Sequence, residues 1–198
     1  MRFKSLIKLS LLSTALFTSG CTVPVVMLGA AATGLVASED ERSTGTIIDD
    51  NLIELRIGGR LGEVEELNES HVNVTVFNGV VLMTGETSDP SHLKLMTQIA
   101  KESSEKIKSV VNQVKVAPTS TLKQRAEDVA VTANVKARLT TVKEINPLRV
   151  KVVTENGVTY LMGVVTQEQA DTIARATATS VGVKKVVKVF EINNRTTK

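Results

Sequence analysis

Apolar side chains recur four residues apart at Ile53, Ile57 and Leu61, a spacing that predicts a helix over about 49–61 with one face turned to a core. Val72, Val74 and Val76 then alternate with polar Asn73 and Thr75, the period-two pattern of a half-buried strand. Asn78-Gly79 follows, the strongest short hairpin signal, because both turn positions need positive φ. A return strand over 80–84, a helix opened by Asp89-Pro90 and running to about 103, and a closing strand over 110–116 complete the unit. Its order is helix, strand, strand, helix, strand.

The same pattern returns 78 residues later. Ile53, Ile57, Arg60 and Leu61 recur as Val131, Val135, Arg138 and Leu139, and Val72, Val74, Asn78, Gly79 and Gly85 recur as Val150, Val152, Asn156, Gly157 and Gly163. A period this long, present twice, suits two copies of one small domain rather than a solenoid. In the second copy Thr121 and Gln124 make a capping box for a helix to about Leu139. Strands over 149–154, 158–162 and 185–192 and a helix over 167–179, capped by Thr166 and Gln169, complete the repeat. The expected fold class is α+β: two tandem small domains (47–117 and 118–198), each a three-stranded mixed sheet packed against two helices. Pro118 to Thr121 links them and is short enough to keep them close.

The chain before the first helix has a different character. Arg2, Lys4 and Lys8 precede an apolar run from Leu9 to Phe17, the outline of a secretory signal over 1–20. Cys21, the single cysteine, follows at once and has no internal disulfide partner. Thr18-Ser19-Gly20-Cys21 resembles a bacterial lipobox, with Thr18 where such motifs usually have Leu. The resemblance implies that the Cys21 sulfur carries diacylglycerol and that fatty acyl chains such as palmitate anchor the protein. Each buried methylene contributes about 0.8 kcal/mol, so two or more chains hold durably. Thr22 stands where an Asp would resemble an inner-membrane retention signal, so the resemblance points to the outer membrane, facing the periplasm. Residues 21–46 then read as a tether: 23–37 is apolar but too short and too broken by Pro24, Gly29 and Gly34 to span a bilayer, and Ser38 to Thr46 reads as a polar hinge.

Charge separates the two copies. The formal net charge of +3 equals the three basic residues of the signal, leaving the remainder near neutral. Within that remainder, 49–117 carries seven basic against eleven acidic residues, and 122–198 carries thirteen against seven. One fold with two signs of charge directs attention to what each copy meets. With no Trp, one Tyr and four Phe, the chain lacks the stacking platforms of a single-strand nucleic-acid binder, and no nucleic-acid partner is expected.

The helix, V-x-V, N-G-V and V-G-V-K-K-V-V pattern resembles the BON domain of bacterial envelope proteins. Val150, Val152, Gly157, Val158, Gly163 and Ser180 to Val186 carry it in the second copy, while the first copy reads Glu105-Lys106-Ile107 where the family glycine is expected. Two copies behind a lipobox look like the dual-BON-domain outer-membrane lipoproteins of Gram-negative bacteria. That resemblance implies support of envelope integrity, a link to the division site, and a phospholipid-binding surface on the second domain's first helix.

No catalytic constellation is visible. His71 and His92 stand without a nucleophile or ligand motif and read as solvated or locally bonded, and Glu63, Glu65, Glu66 and Glu69 read as a solvated loop. No enzyme activity, cofactor or metal site is expected. Surface is what remains. With Val131, Val135 and Leu139 inward, the second helix turns Val129, Ala133, Lys136, Ala137 and Thr140 outward, with Ala130 at the edge and Lys143 beyond its end. A small apolar face with basic flanks suits the headgroup boundary of an anionic bilayer, phosphatidylglycerol or cardiolipin. The other partner class is protein: the acidic first domain docking outer-membrane assembly proteins.

Overall fold

The structure is a computed structural model that describes residues 42–143 and 145–193; the signal, Cys21 and the tether to residue 41 lie outside the described residues. The first copy comprises α1 (Thr44–Gly62), β1 (His71–Phe77), β2 (Val80–Thr87), α2 (Ser91–Lys101), β3 (Ser109–Asn112) and β4 (Lys115–Val116). The second comprises α3 (Leu122–Thr140), β5 (Lys151–Glu155), β6 (Val158–Val165), α4 (Gln167–Ala178) and β7 (Lys185–Ile192). In each sheet the middle strand is antiparallel to its hairpin partner and parallel to the closing strand. The α+β tandem expected from the repeat is what forms.

Both return strands run three residues beyond expectation, to Thr87 and Val165, and three other boundaries differ for local reasons. Helix α1 begins at Thr44, because the Ser43 hydroxyl accepts from the Thr46 N–H and draws the end of the expected hinge into the first turn. Gly58 and Gly59 do not end it. Both lie on its exposed side, and a helical glycine costs only about 1 kcal/mol, less than Ile57 and Leu61 return by burial. The closing strand of the first copy breaks at Asn112, whose amide donates to Leu93 O and Thr97 Oγ1 while its Oδ1 accepts from Val114 N. The side chain thus binds the strand to α2 and splits it into β3 and β4. Residues 147–149 form a 3-10 turn before β5, capped by Asn146, where the strand was expected to begin.

Period-two alternation gives each middle strand two apolar faces. Val81 and Met83 of β2 meet Ile53, Ile57 and Met96 of the helices. Leu161 and Val165 of β6 meet Val131, Val135 and Ile173. The opposite faces meet each other: Phe77, Leu82, Val158, Tyr160 and Met162 form one core built from both copies. Leu82 and Tyr160 occupy equivalent repeat positions. The layers therefore run helix, sheet, sheet, helix, and each such side chain contributes about 1.5–3 kcal/mol by burial. Burial holds the Tyr160 hydroxyl above its ordinary pKa, helped by the nearby Glu155 carboxylate.

Each hairpin is clamped by a buried aspartate on the preceding helix. Asp50 accepts from the N–H groups of Asn78 (2.6 Å) and Gly79 (2.8 Å). Asp128 accepts from Asn156 (2.8 Å) and Gly157 (2.7 Å). All four turn residues have positive φ, so their amides point the same way and one carboxylate takes both. Asp50 and Asp128 are again one repeat apart. The closing strand reads off the same turn, with Lys108 and Lys184 donating backbone N–H groups to Gly79 O and Gly157 O.

Removing the clamp by Asp128→Ala is expected to cost about 2–4 kcal/mol, because two amides lose a charged acceptor. Glu127→Ala, exposed and one residue away, is expected to stay within about 0.5 kcal/mol in the same urea titration. Tyr160 gives a pH prediction. Its hydroxyl titrates higher in the folded than in the unfolded state, so its contribution is intact below pH 10.0 and is lost as pH rises through the raised value. Urea midpoints from pH 9 upward should fall more steeply in the wild type than in Tyr160→Phe; parallel alkaline limbs would refute this.

Candidate functional site

Helix α3 is anchored by Thr121, which with Gln124 makes a full capping box, and it buries Asp128, Val131, Val135 and Leu139. That leaves the opposite face free. Val129, Ala130, Ala133, Lys136, Ala137 and Thr140 are all exposed, as is Lys143 after the helix end. The structure extends the patch in two directions that the helical wheel alone did not include. Leu122 starts the outward stripe two turns earlier and is 82% exposed. Val181, 79% exposed, comes alongside from the loop between α4 and β7. Gly182 sets that loop: its φ is +89° and a Cβ there would strike Val131. The loop therefore lies against α3, where Ala130, Val181 and Lys184 line one shallow cleft of about 440 Å³. Lys184 and Lys185 are exposed beside it, whereas Lys188 pairs with Asp171 at 3.0 Å.

The corresponding face of α1 is more apolar and lacks the basic flank. Ile48, Leu52 and Leu55 stand outward, Leu55 at 75% exposure. Leu52 and Leu55 occupy the positions of Ala130 and Ala133, and Gly58 that of Lys136. Charge and apolar side-chain size together distinguish the two outer helices. Among the described residues no helix is long and apolar enough to cross a membrane.

A second polar cluster lies where the two sheets meet. His71 Nδ1 is 3.4 Å from Glu86 Oε2 and 3.8 Å from Glu155 Oε1. Glu86 Oε2 also accepts from Ser120 N, its Oε1 accepts from the Asn156 amide, and Glu155 Oε2 accepts from the Asn73 amide at 2.8 Å. Burial pushes the Glu155 carboxyl above the usual carboxylate range, opposed by the Asn73 hydrogen bond and the His71 charge and reinforced by Glu86 and Asp128. His71 was expected to be solvated or locally bonded; it is half-buried between the copies. His92 is bonded locally, to Thr87 Oγ1 at 2.7 Å. Glu63, Glu65, Glu66 and Glu69 are exposed. The sequence could not display the junction, because its members come from β1, β2 and β5.

Two modules of this topology, paired sheet to sheet, define a tandem-domain protein. The BON domain pattern matches residues 49–118 and again 123–194. The chain is 33% identical over 182 residues to "Outer membrane lipoprotein DolP" of Haemophilus influenzae, covering 91% of this chain and 93% of that protein. It is 32% identical over 152 residues to "21 kDa hemolysin" of Actinobacillus pleuropneumoniae, covering 76% of this chain and 78% of that one. It is 26% identical over 192 residues to "Osmotically-inducible protein Y" of Escherichia coli, covering 87% and 95% respectively. The chain belongs to the BON-domain family and, within it, to the dual-BON-domain lipoproteins of the DolP kind. It is thus an envelope-associated lipoprotein.

Proposed function

We propose that this protein is a non-enzymatic lipoprotein held in the outer membrane by Cys21 and facing the periplasm, whose second BON domain binds anionic phospholipid through the outer face of α3. Binding there would support envelope integrity and favour particular membrane regions such as the division site. The outer face of α3 carries the proposal: exposed Leu122, Val129, Ala133 and Ala137 flanked by exposed Lys136 and Lys143, in a copy with thirteen basic against seven acidic residues. Small apolar side chains enter the headgroup boundary shallowly, while each lysine near an anionic surface contributes about 1 kcal/mol. A lipid anchor holds the helix near such a surface, so modest attraction suffices.

One observation favours a second reading. The Ile48, Leu52 and Leu55 stripe of α1 is larger in side-chain size than its counterpart and sits in a copy with eleven acidic against seven basic residues. An acidic domain with a bare apolar stripe suits a protein partner better than an anionic bilayer, and outer-membrane assembly machinery is the partner class this reading offers.

Lys136→Glu is expected to weaken binding to phosphatidylglycerol vesicles by about 1–2 kcal/mol, less at high salt, where screening already reduces the attraction. Gly58→Glu is the matched control. A side chain at Gly58 meets open space, so binding should stay within error. Ala133→Asp should impair binding even at low salt. Anionic micelles should shift amide resonances over 129–143; shifts confined to α1, or the same pattern with neutral micelles, would reject the assignment of anionic-lipid binding to α3. Cys21→Ser tests the anchor: it should yield a carbonate-extractable or unprocessed protein. Retention of the processed form in the membrane pellet after carbonate would count against lipidation.

A further inference from the structure

The junction of His71, Glu86 and Glu155 is not used by either functional reading, yet it is built like a ligand set. The three donor atoms lie within 4.8 Å of one another, and Nδ1 of His71 is 3.4 Å and 3.8 Å from the two carboxylate oxygens. Those gaps are wider than a charge-assisted hydrogen bond, about 2.7–2.9 Å. Donors that share one ion through bonds of about 2.0–2.2 Å at tetrahedral angles lie about 3.3–3.6 Å apart; the 3.4 Å gap falls in that range and the 3.8 Å gap lies just beyond it, so a small inward turn of Glu155 would complete the set.

The carboxylates are also held in place by partners outside the set. Asn73 takes Glu155 Oε2 and leaves Oε1 turned to the imidazole. Ser120 N and the Asn156 amide fix the two oxygens of Glu86. Such outer contacts orient ligands in protein metal sites. The charge is unbalanced. Glu86 is 1% and Glu155 6% exposed, and among the described residues their only ion-pair partner within 4.0 Å is His71. Two desolvated carboxylates with one weak base between them call for a cation. A cleft of about 360 Å³, lined by His71, Asn73, Arg125 and Glu155, leads to the site; the Arg125 guanidinium donates to Ser120 Oγ and O rather than to either carboxylate.

We propose that His71, Glu86 and Glu155 bind a divalent transition-metal ion, Zn2+ being the best fit, and that this ion clamps the first BON domain to the second. The imidazole selects against Ca2+ and Mg2+, which prefer oxygen ligands throughout, and three protein donors leave one position for water on the cleft side. Because β1 and β2 supply two ligands and β5 the third, the ion would resist separation of the sheets.

The test uses the purified full chain in non-ionic detergent after chelator treatment, with Zn2+ itself as the probe. One equivalent of Zn2+ should saturate binding, raise the thermal midpoint and shift the His71 ring resonances, while millimolar Mg2+ or Ca2+ does none of these. Substituting Co2+ should give the strong visible absorption of a four-coordinate site. His71→Asn and Glu155→Gln should each weaken Zn2+ binding at least about tenfold, a loss typical even for outer-contact changes, and His92→Asn should not. Glu155→Gln retains an acceptor for Asn73, so it keeps the test open if His71→Asn fails to fold. Zn2+ binding that leaves the His71 ring of the wild type unmoved, survives Glu155→Gln, or is no tighter than Mg2+ binding overturns the proposal.

Discussion

Each sheet of this protein has two apolar faces and only enough helix to cover one. In β2, Val81 and Met83 turn to the helices and Leu82 turns away; in β6, Leu161 turns to the helices and Tyr160 and Met162 turn away. A single copy would leave that second face in water, and a domain of about 70 residues has little stability in reserve. The other copy is what covers it. The duplication is therefore a folding requirement as well as a doubling of surface, and the short Pro118–Thr121 link suits sheets that stay in contact.

That packing decides where polar groups meet. Strand ends from both copies converge at the edge of the shared core, so Glu86 of β2 and Glu155 of β5 are brought together with His71 of β1. Asn156 serves twice: its backbone N–H is held by Asp128 while its side chain reaches across to Glu86. The hairpin clamp and the domain junction are thereby one connected network. Asn78 does the same on the other side, with its N–H on Asp50 and its amide on Glu191 at 2.7 Å. The outer helices are left facing solvent in opposite directions of the layer order, which makes them the surfaces free to meet membrane or partner. Their difference in charge and side-chain size is a difference between two otherwise equivalent faces.

Helices, hairpins and the tandem arrangement were legible because they rest on local rules: the spacing of Ile53, Ile57 and Leu61, the positive-φ pair Asn78-Gly79, and the capping box of Thr121 and Gln124. The outward stripe of α3 was legible for the same reason, since fixing the inward residues of a helix fixes the outward ones. Leu122 and Val181 were missed. One sits in the first turn, before the repeat becomes clear, and the other comes from a loop that only Gly182 brings against the helix. The Asp50 and Asp128 pair was present at the repeat offset but carried no signal as a clamp until the turn amides were seen to converge on it.

Sequence alone determined the elements, their order, their duplication and the sign of charge on each copy, because periodicity, turn chemistry and composition act over a few residues. Tertiary structure decided which faces are covered, that the sheets pair back to back, and that one histidine and two glutamates from three strands meet. Contacts of that kind depend on which apolar face finds a partner, a competition settled by burial between segments far apart in the chain. Alternation marks a strand as two-faced; only the assembled layers show what each face rests on.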